Sequence, residues 1–135
     1  MRYELTKDLE TGNALIDREH RELFQAVNNL LDSCAKGRGR EEMESAIKFL
    51  ASYVDKHFKD EEQLQTQTNY PGLTAHRQFH EGYKRQLGVM IQELQRQGAT
   101  IAILGKFNQI VGVLVNHIRL EDKKLAIHVK AKTGL

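Results

Sequence analysis

The chain has 135 residues, a formal net charge of +2 and a single cysteine, Cys34. This length predicts one domain, residues 1–135, with a core large enough to be stable. The low charge gives no reason to expect a nucleic acid partner. One cysteine excludes an intrachain disulfide and favours a reducing compartment.

The N-terminal segment predicts an extended arm. Residues 1–12 lack the apolar core of a signal peptide, and no later apolar stretch is expected to reach membrane-spanning length. We therefore expect a cytoplasmic protein with no membrane partner. Tyr3, Leu5 and Leu9 are available to pack on the folded domain.

Four amphipathic segments follow, in which apolar residues recur with helical period. Three short breaks, residues 36–40, 68–72 and 97–100, separate them, and each break contains glycine. The basic residues of the first break are expected to form a solvated loop. Helices of about 20 residues joined by short loops predict an all-α fold, an up-down-up-down antiparallel four-helix bundle.

The sequence also predicts where the helices begin and end. Asp17 is the expected N-cap of the first helix and Thr100 that of the fourth, while Gly98 is expected to end the third. Cys34 falls near the end of an apolar helix face, which favours a small core residue over a reactive thiol. A short C-terminal helical segment is expected from Lys123 onward.

Five of the six histidines and two carboxylates lie on the apolar faces of these segments. His57 and Glu61 are four residues apart, as are His76 and His80, so each pair projects from one side of its helix. One such pair is common by chance, but burying the whole set without partners would cost free energy. The predicted metal ligands are His20, His57, Glu61, His76, His80, His117 and Asp122.

The topology predicts that all the ligands meet at one end of the bundle. His20 lies near the start of the first helix, and Glu61 near the end of the second. His76 lies near the start of the third helix, and His117 near the end of the fourth. In an up-down-up-down bundle these four ends coincide.

The last pair of ligands needs an irregular helix. His117 and Asp122 are five residues apart, which is about 140° around an ideal helix. For both to reach one site, the helix must end, bulge or bend between Ile118 and Glu121, and we expect a break there. His128 lies beyond this point and is expected to face solvent, outside the site.

The ligand set suits two metal ions with one open position. If Glu61 and Asp122 bridge two octahedral ions, they fill four positions, the histidines fill five and a bridging oxo or hydroxo group fills two, so one of twelve stays open. An open position is typical of sites that bind ligands or do chemistry. Imidazole and carboxylate without thiolate favour iron over structural zinc.

These motifs resemble those of the hemerythrin family, in particular the bacterial hemerythrins. The stretch from Thr11 to Phe24, which reads TGNALIDREHRELF, resembles the first-helix motif. His57-x-x-x-Glu61, His76-x-x-x-His80 and His117-x-x-x-x-Asp122 resemble the other three. Many bacterial members carry a tryptophan in the arm; this chain has none, and Tyr3 is expected to take its place.

The resemblance implies a non-haem di-iron site, with an oxo or hydroxo bridge, that binds dioxygen reversibly for oxygen delivery, storage or scavenging. By analogy, one iron takes His76, His80 and His117, while the other takes His20 and His57 and keeps the open position. Glu61 and Asp122 bridge the two ions. Such chemistry needs a dry pocket, for which the expected lining residues are Leu23, Phe24, Phe58, Tyr83, Leu114 and Ile118.

Two other functions remain open at this point. A related di-iron site could act as a redox enzyme that reduces nitric oxide or peroxide, or as an oxidase. The domain could also sense oxygen or redox state through a separate partner, since the sequence ends at Leu135 without a signalling module. No extra apolar stripe suggests a large interface, so a monomer is expected.

Overall fold

The computed structural model describes residues 3–35, 40–98 and 100–134, with side chains from residue 45 onward in the second range. Most of the first predicted break, residues 36–39, therefore lies outside the described residues. A short 3-10 turn, Lys7–Leu9, precedes five helices. They are α1 (Ala14–Ala35), α2 (Arg40–Gln67), α3 (Leu73–Gln97), α4 (Ile101–His117) and α5 (Lys123–Thr133).

Contacts between successive helices show that they run antiparallel. Between α1 and α2, Glu19 meets His57 and Glu22 meets Tyr53, so the partner's number falls as the residue's number rises. The same falling order links α2 with α3 and α3 with α4, through the pairs Asp55–Lys84, Glu62–His80, Phe79–His117 and Glu93–Lys106. The predicted all-α bundle is confirmed.

The start of α1 differs from the prediction. The helix begins at Ala14, and the Asn13 side chain caps it by accepting a hydrogen bond from the Ile16 N–H at 3.0 Å. Asp17 therefore lies inside the first turn, and its prediction as the N-cap is wrong. Its carboxylate instead accepts hydrogen bonds from the Thr11 N–H and hydroxyl and from the Gly12 N–H, which fasten the arm to the helix.

The other two predicted helix ends are confirmed. Thr100 caps α4 by accepting a hydrogen bond from the Ile103 N–H at 3.1 Å. Gly98 ends α3 with a φ of +82°, a conformation that glycine adopts without steric cost. In the turn before α3, Asn69 also has a positive φ, of 53°, which asparagine tolerates better than most residues.

One large apolar cluster fills the space between α1, α2, α3 and α4, and a second holds α5 in place. In the second cluster, Ile16 of α1 packs with Leu125 and Val129 of α5. Cys34 is half-buried against the main cluster, and burial raises the pKa of its thiol. A raised pKa disfavours the reactive thiolate, which agrees with its prediction as a core residue.

The N-terminal arm packs on the bundle as predicted. Tyr3 and Leu5 contact the main cluster, and Leu9 is buried within it. The Asn28 side chain forms two hydrogen bonds of 2.8 Å with the backbone of Tyr3, one as acceptor and one as donor. The Tyr3 hydroxyl also donates to Asn108 of α4 at 2.9 Å, so the arm ties α1 to α4.

The irregularity predicted between His117 and Asp122 is a π-helical turn, Ile118–Asp122. Its hydrogen bonds run from residue i to i+5, which brings residues five apart onto one face. His117 Nε2 consequently lies 3.1 Å from Asp122 Oδ1. The predicted bulge is therefore correct, whereas a break is not present, because α4 continues through this turn into α5.

The helical run Ile101–Thr133 contains an 18-residue window with a mean hydropathy of 1.4, long and apolar enough to span a membrane by those criteria. The expectation that no stretch reaches that length is wrong by this measure. One such helix is weak evidence for a membrane span, because the core helix of a bundle passes the same test. Here Ile103, Phe107 and Leu114 of this run are buried in the main cluster.

Replacing Asn28 with leucine should loosen the arm. The substitution leaves the Tyr3 N–H and carbonyl without partners, so we expect the free energy of unfolding to fall by about 1–3 kcal/mol. The neighbouring Asn29 is exposed, and Asn29→Leu is the matched control. Urea denaturation measures the stability, and limited proteolysis measures exposure of the arm. Equal stability of the two variants would contradict the assigned role of Asn28.

Candidate metal centre

All seven predicted ligands come together in the core at one end of the bundle. Each side chain is buried: His20, His57 and His80 have no exposed surface, and His117 is the most exposed at 6%. They come from α1, α2, α3, the last residue of α4 and the π-helical turn. The structure therefore places the predicted set in one cluster, as the topology required.

The cluster divides into two groups, and within each group the potential ligand atoms lie within 4.8 Å of one another. One group holds three histidines, His76, His80 and His117. The other holds two histidines and both carboxylates: His20, His57, Glu61 and Asp122. The groups are thus unequal in their number of imidazole donors.

Both carboxylates face the two groups at once. Glu61 Oε1 lies 3.2 Å from His80 Nε2, while its Oε2 lies 3.5 Å from His57 Nε2. Asp122 Oδ1 lies 2.9 Å from His76 Nε2, while its Oδ2 lies 3.0 Å from His20 Nε2. A carboxylate with one oxygen towards each group can bridge two metal ions.

Two further carboxylates contact predicted ligand histidines from outside the cluster, and the spacing of the sequence motifs does not indicate them. Glu19 of α1 lies 2.9 Å from His57 Nδ1 on α2, and Glu62 of α2 lies 2.9 Å from His80 Nδ1 on α3. Each contact leaves Nε2 facing the centre. Carboxylates placed in this way fix the ring orientation and raise the basicity of a metal-binding histidine.

Glu19 is buried yet charged. Burial alone would raise the pKa of its carboxyl, but hydrogen bonds with His57, Asp60 and Lys56 outweigh burial and lower it to about 2. Lys56 Nζ lies 2.8 Å from Glu19 Oε2 and 3.0 Å from Asp60 Oδ2. A chain of hydrogen bonds therefore connects His57 with the exposed Lys56 at the protein surface.

Burial and neighbouring groups set the protonation of the cluster. Burial lowers the pKa of His57, and it lowers that of His80 to about 2, so both imidazoles are neutral near pH 7. Burial and the neighbouring Asp122 raise the pKa of Glu61 well above its usual range. Burial would also raise the pKa of Asp122, but the neighbouring imidazoles of His117, His20 and His76 hold it well below its usual value.

The donor set fits transition-metal cations. His57 Nε2, His80 Nε2, His20 Nε2 and both oxygens of Glu61 are buried without a hydrogen-bond partner. Unpartnered buried groups cost free energy, and a bound cation would satisfy all five of these atoms. Neutral imidazole and carboxylate are donors typical of iron, and the cluster holds no thiolate.

Aromatic rings cover two of the ligands. Phe58 stacks on His80 with ring centroids 3.8 Å apart, and Phe79 stacks on His117 at the same distance. The six residues expected to line a dry pocket are all buried, although their role as a lining stays a prediction. The Tyr83 hydroxyl donates a hydrogen bond to the Ile110 carbonyl of α4 at 3.1 Å, so its proton is already used in this hydrogen bond.

His128 lies outside the cluster, as predicted, but it does not simply face solvent. Its side chain is half-buried, and its Nε2 lies 2.7 Å from the Thr68 carbonyl, which accepts the hydrogen bond. The ring also packs edge-on against Tyr70, with centroids 5.1 Å apart. His128 therefore fastens α5 to the turn between α2 and α3.

Removing the acceptor for His80 should weaken metal binding. Glu62→Leu leaves His80 Nδ1 without its partner, and we expect the affinity for ferrous iron to fall by about 10-fold to 100-fold. Glu62→Gln keeps an acceptor oxygen and serves as the matched control. Anaerobic titration with a competing chelator measures the affinity. Equal affinities for the leucine variant and the wild type would show that this contact does not support the site.

Acid should destabilise the metal-free protein. The unfolded chain protonates His57 and His80 near a pKa of about 6.5, whereas the folded chain keeps both neutral. Glu61 acts in the opposite sense, because its raised pKa lets the folded chain hold one proton more. The two histidines outnumber this one carboxyl, so the unfolded state binds more protons than the folded state, and the free energy of unfolding should fall as the pH falls below ~6.5.

Urea denaturation between pH 7 and pH 5, in the presence of a chelator, measures this dependence. His80→Gln removes one of the two histidines and should flatten the slope. A wild-type unfolding free energy that stays constant over this range would contradict the burial of neutral imidazoles.

Comparison with known proteins supports the assignment of this cluster as a metal site. A family model described as the hemerythrin HHE cation binding domain matches residues 11–126. A bacteriohemerythrin of Campylobacter jejuni is 26% identical over 129 residues, which cover 93% of this chain and 94% of the relative. Bacteriohemerythrins of Pseudomonas aeruginosa and Stenotrophomonas maltophilia are each 29% identical, over 85% and 92% of this chain and 73% and 79% of the relatives. The sequence motifs, the helical bundle and the buried cluster agree with this match, and the chain belongs to the hemerythrin family.

Proposed function

We propose that this chain holds two iron ions and binds dioxygen reversibly at one open iron position, for oxygen delivery, storage or scavenging. The observation that carries the proposal is the position of Glu61 and Asp122. Each turns one oxygen towards the three-histidine group and the other towards the two-histidine group. Two ions bridged in this way differ by one imidazole, so one ion keeps an open position.

In this proposal, His76, His80 and His117 bind one ion, and His20 and His57 bind the other. A ferrous pair bound by these residues would supply the electrons that dioxygen binding needs. The relatives are named bacteriohemerythrin, which supports the proposal of a two-iron site. The imidazoles of His57 and His80 are neutral donors, and the cluster contains no thiolate that oxygen would oxidise.

The protein's own contribution is to orient the ligands and exclude water. Glu19 and Glu62 contact Nδ1 of His57 and of His80, respectively, and so fix the orientation of the two rings. Phe58 and Phe79 cover His80 and His117. Excluding water slows loss of the ferrous state, which reversible binding requires.

Ferrous iron added without oxygen, followed by air, tests the function. We expect two irons per chain and a visible absorption band that appears with oxygen and disappears when oxygen is removed. Irreversible conversion to a stable diferric protein would contradict reversible binding and favour the redox-enzyme alternative. Fewer than two irons in the wild type would contradict the two-metal site.

The sixth histidine provides a matched control for the ligand set. His117→Ala should lower the iron content well below two per chain, because it removes a donor from the three-histidine group. His128→Ala removes a histidine outside the cluster and should leave two irons bound. Iron analysis after desalting measures both. Equal iron content in the two variants would show that His117 is not a ligand.

A further inference from the structure

The seven predicted ligands are not equally hidden from solvent. His76 is 5% exposed and His117 is 6% exposed, whereas each of the other five is exposed by 1% or less. Both of these histidines belong to the three-histidine group. An ion that enters or leaves the centre must cross the protein surface, and these two rings lie nearest to it. The side chains that cover them therefore control how fast ions exchange.

His117 is covered by a ring that is difficult to move. The Phe79 ring lies parallel to it, with centroids 3.8 Å apart and planes inclined by 2°. Phe79 is in the second turn of α3, so its backbone is held by helical hydrogen bonds. An opening beside His117 would have to separate two stacked rings, which makes a path for ions on this side costly.

His76 is covered by Tyr70, which lies in the turn between α2 and α3 rather than in a helix. The two rings are inclined by 60° and their centroids are 6.3 Å apart, which is a looser contact than stacking. The Tyr70 side chain is half-buried. Its backbone is fixed, because its N–H donates to the Gln65 carbonyl at 2.9 Å and its carbonyl accepts from the Leu73 N–H at 3.2 Å. The ring can therefore swing aside while the turn keeps its shape.

Two neighbours hold the Tyr70 ring in its place beside His76. His128 of α5 packs against it edge-on, with centroids 5.1 Å apart. Gly72 approaches it so closely that an added Cβ would lie 2.7 Å from the Tyr70 Cε2 atom and 3.1 Å from Cζ. The backbone of Gly72, with a φ of −87°, is open to other residues. It is the position of the ring, and not the shape of the turn, that requires glycine here.

We propose that Tyr70 covers the route by which metal ions reach and leave the three-histidine group. The inference rests on the proposed metal centre and not on dioxygen binding. The Tyr70 ring is a cover and not a ligand, so moving it aside lowers the barrier to exchange without changing the bound state. Such a cover alters the rates of binding and release by the same factor and leaves the affinity unchanged. Tyr70 differs in this from Glu62, whose loss should lower the affinity itself.

Stopped-flow kinetics with Co²⁺ tests this role, because the visible absorption of the bound ion reports its coordination directly. Mixing Co²⁺ with the metal-free chain gives the binding rate, and adding an excess of chelator to the loaded chain gives the release rate. We expect Tyr70→Ala to speed both steps by about 10-fold, the factor that follows from the contacts of a half-buried aromatic ring. The dissociation constant should stay at the wild-type value. Tyr70→Phe keeps the ring and should keep both wild-type rates.

Further substitutions separate a cover from general packing. Leu64, like Tyr70, is partly buried against the second apolar cluster, so Leu64→Ala loosens the same packing and should leave both rates unchanged. Gly72→Ala keeps the Tyr70 ring but must displace it, and we expect it to speed both steps. Gly88→Ala is the matched control, because an added Cβ there meets nothing within 4 Å.

Wild-type rates in both Tyr70→Ala and Gly72→Ala would overturn the assignment. Faster release without faster binding would overturn it as well, because that result is a loss of affinity. Phe79→Ala tests the other path, beside His117, and a larger acceleration in this variant than in Tyr70→Ala would place the route there instead. A wild type that binds no Co²⁺ would overturn the metal centre itself. These failures are distinguishable because the wild type is titrated first.

Discussion

The burial of seven polar ligand groups at one end of the bundle is the constraint on which the rest of the structure depends. Imidazoles and carboxylates removed from water need partners, and within the cluster several of their atoms have none. Bound cations would satisfy these atoms. The fold consequently carries a polar core at one end, and an apolar core, which includes Leu30, Leu50, Met90 and Phe107, along the rest of its length.

Each carboxylate that contacts a ligand histidine from outside the cluster lies on a different helix from that histidine. Glu19 of α1 supports His57 of α2, and Glu62 of α2 supports His80 of α3. The π-helical turn brings Asp122 beneath His117, and α5 continues from it to pack on Ile16. Ligand geometry and bundle packing are thus coupled, because each of these contacts crosses from one helix to another.

Sequence spacing was sufficient to predict which seven candidate ligands cluster, but not which carboxylates contact them from outside the cluster. A ligand pair four residues apart shares one helix face whatever the neighbours are, so His57 with Glu61 could be recognised directly. Glu19 and Glu62 each adjoin a ligand in sequence, about 100° away around the helix, and reach a ligand on the next helix. Only the relative rotation of two helices decides such a contact, and the same holds for Phe79 over His117.

Local sequence by itself determined the four amphipathic helices, two of their ends, the seven residues that cluster as candidate ligands, and the need for an irregular turn before Asp122. These features depend on helical periodicity and on the backbone preferences of single residues. Tertiary structure alone decided that the turn is a π-helical continuation, that Asn13 rather than Asp17 caps α1, and that Gln65 is buried without a partner. Each of these depends on distances between segments far apart in the chain, which periodicity does not encode.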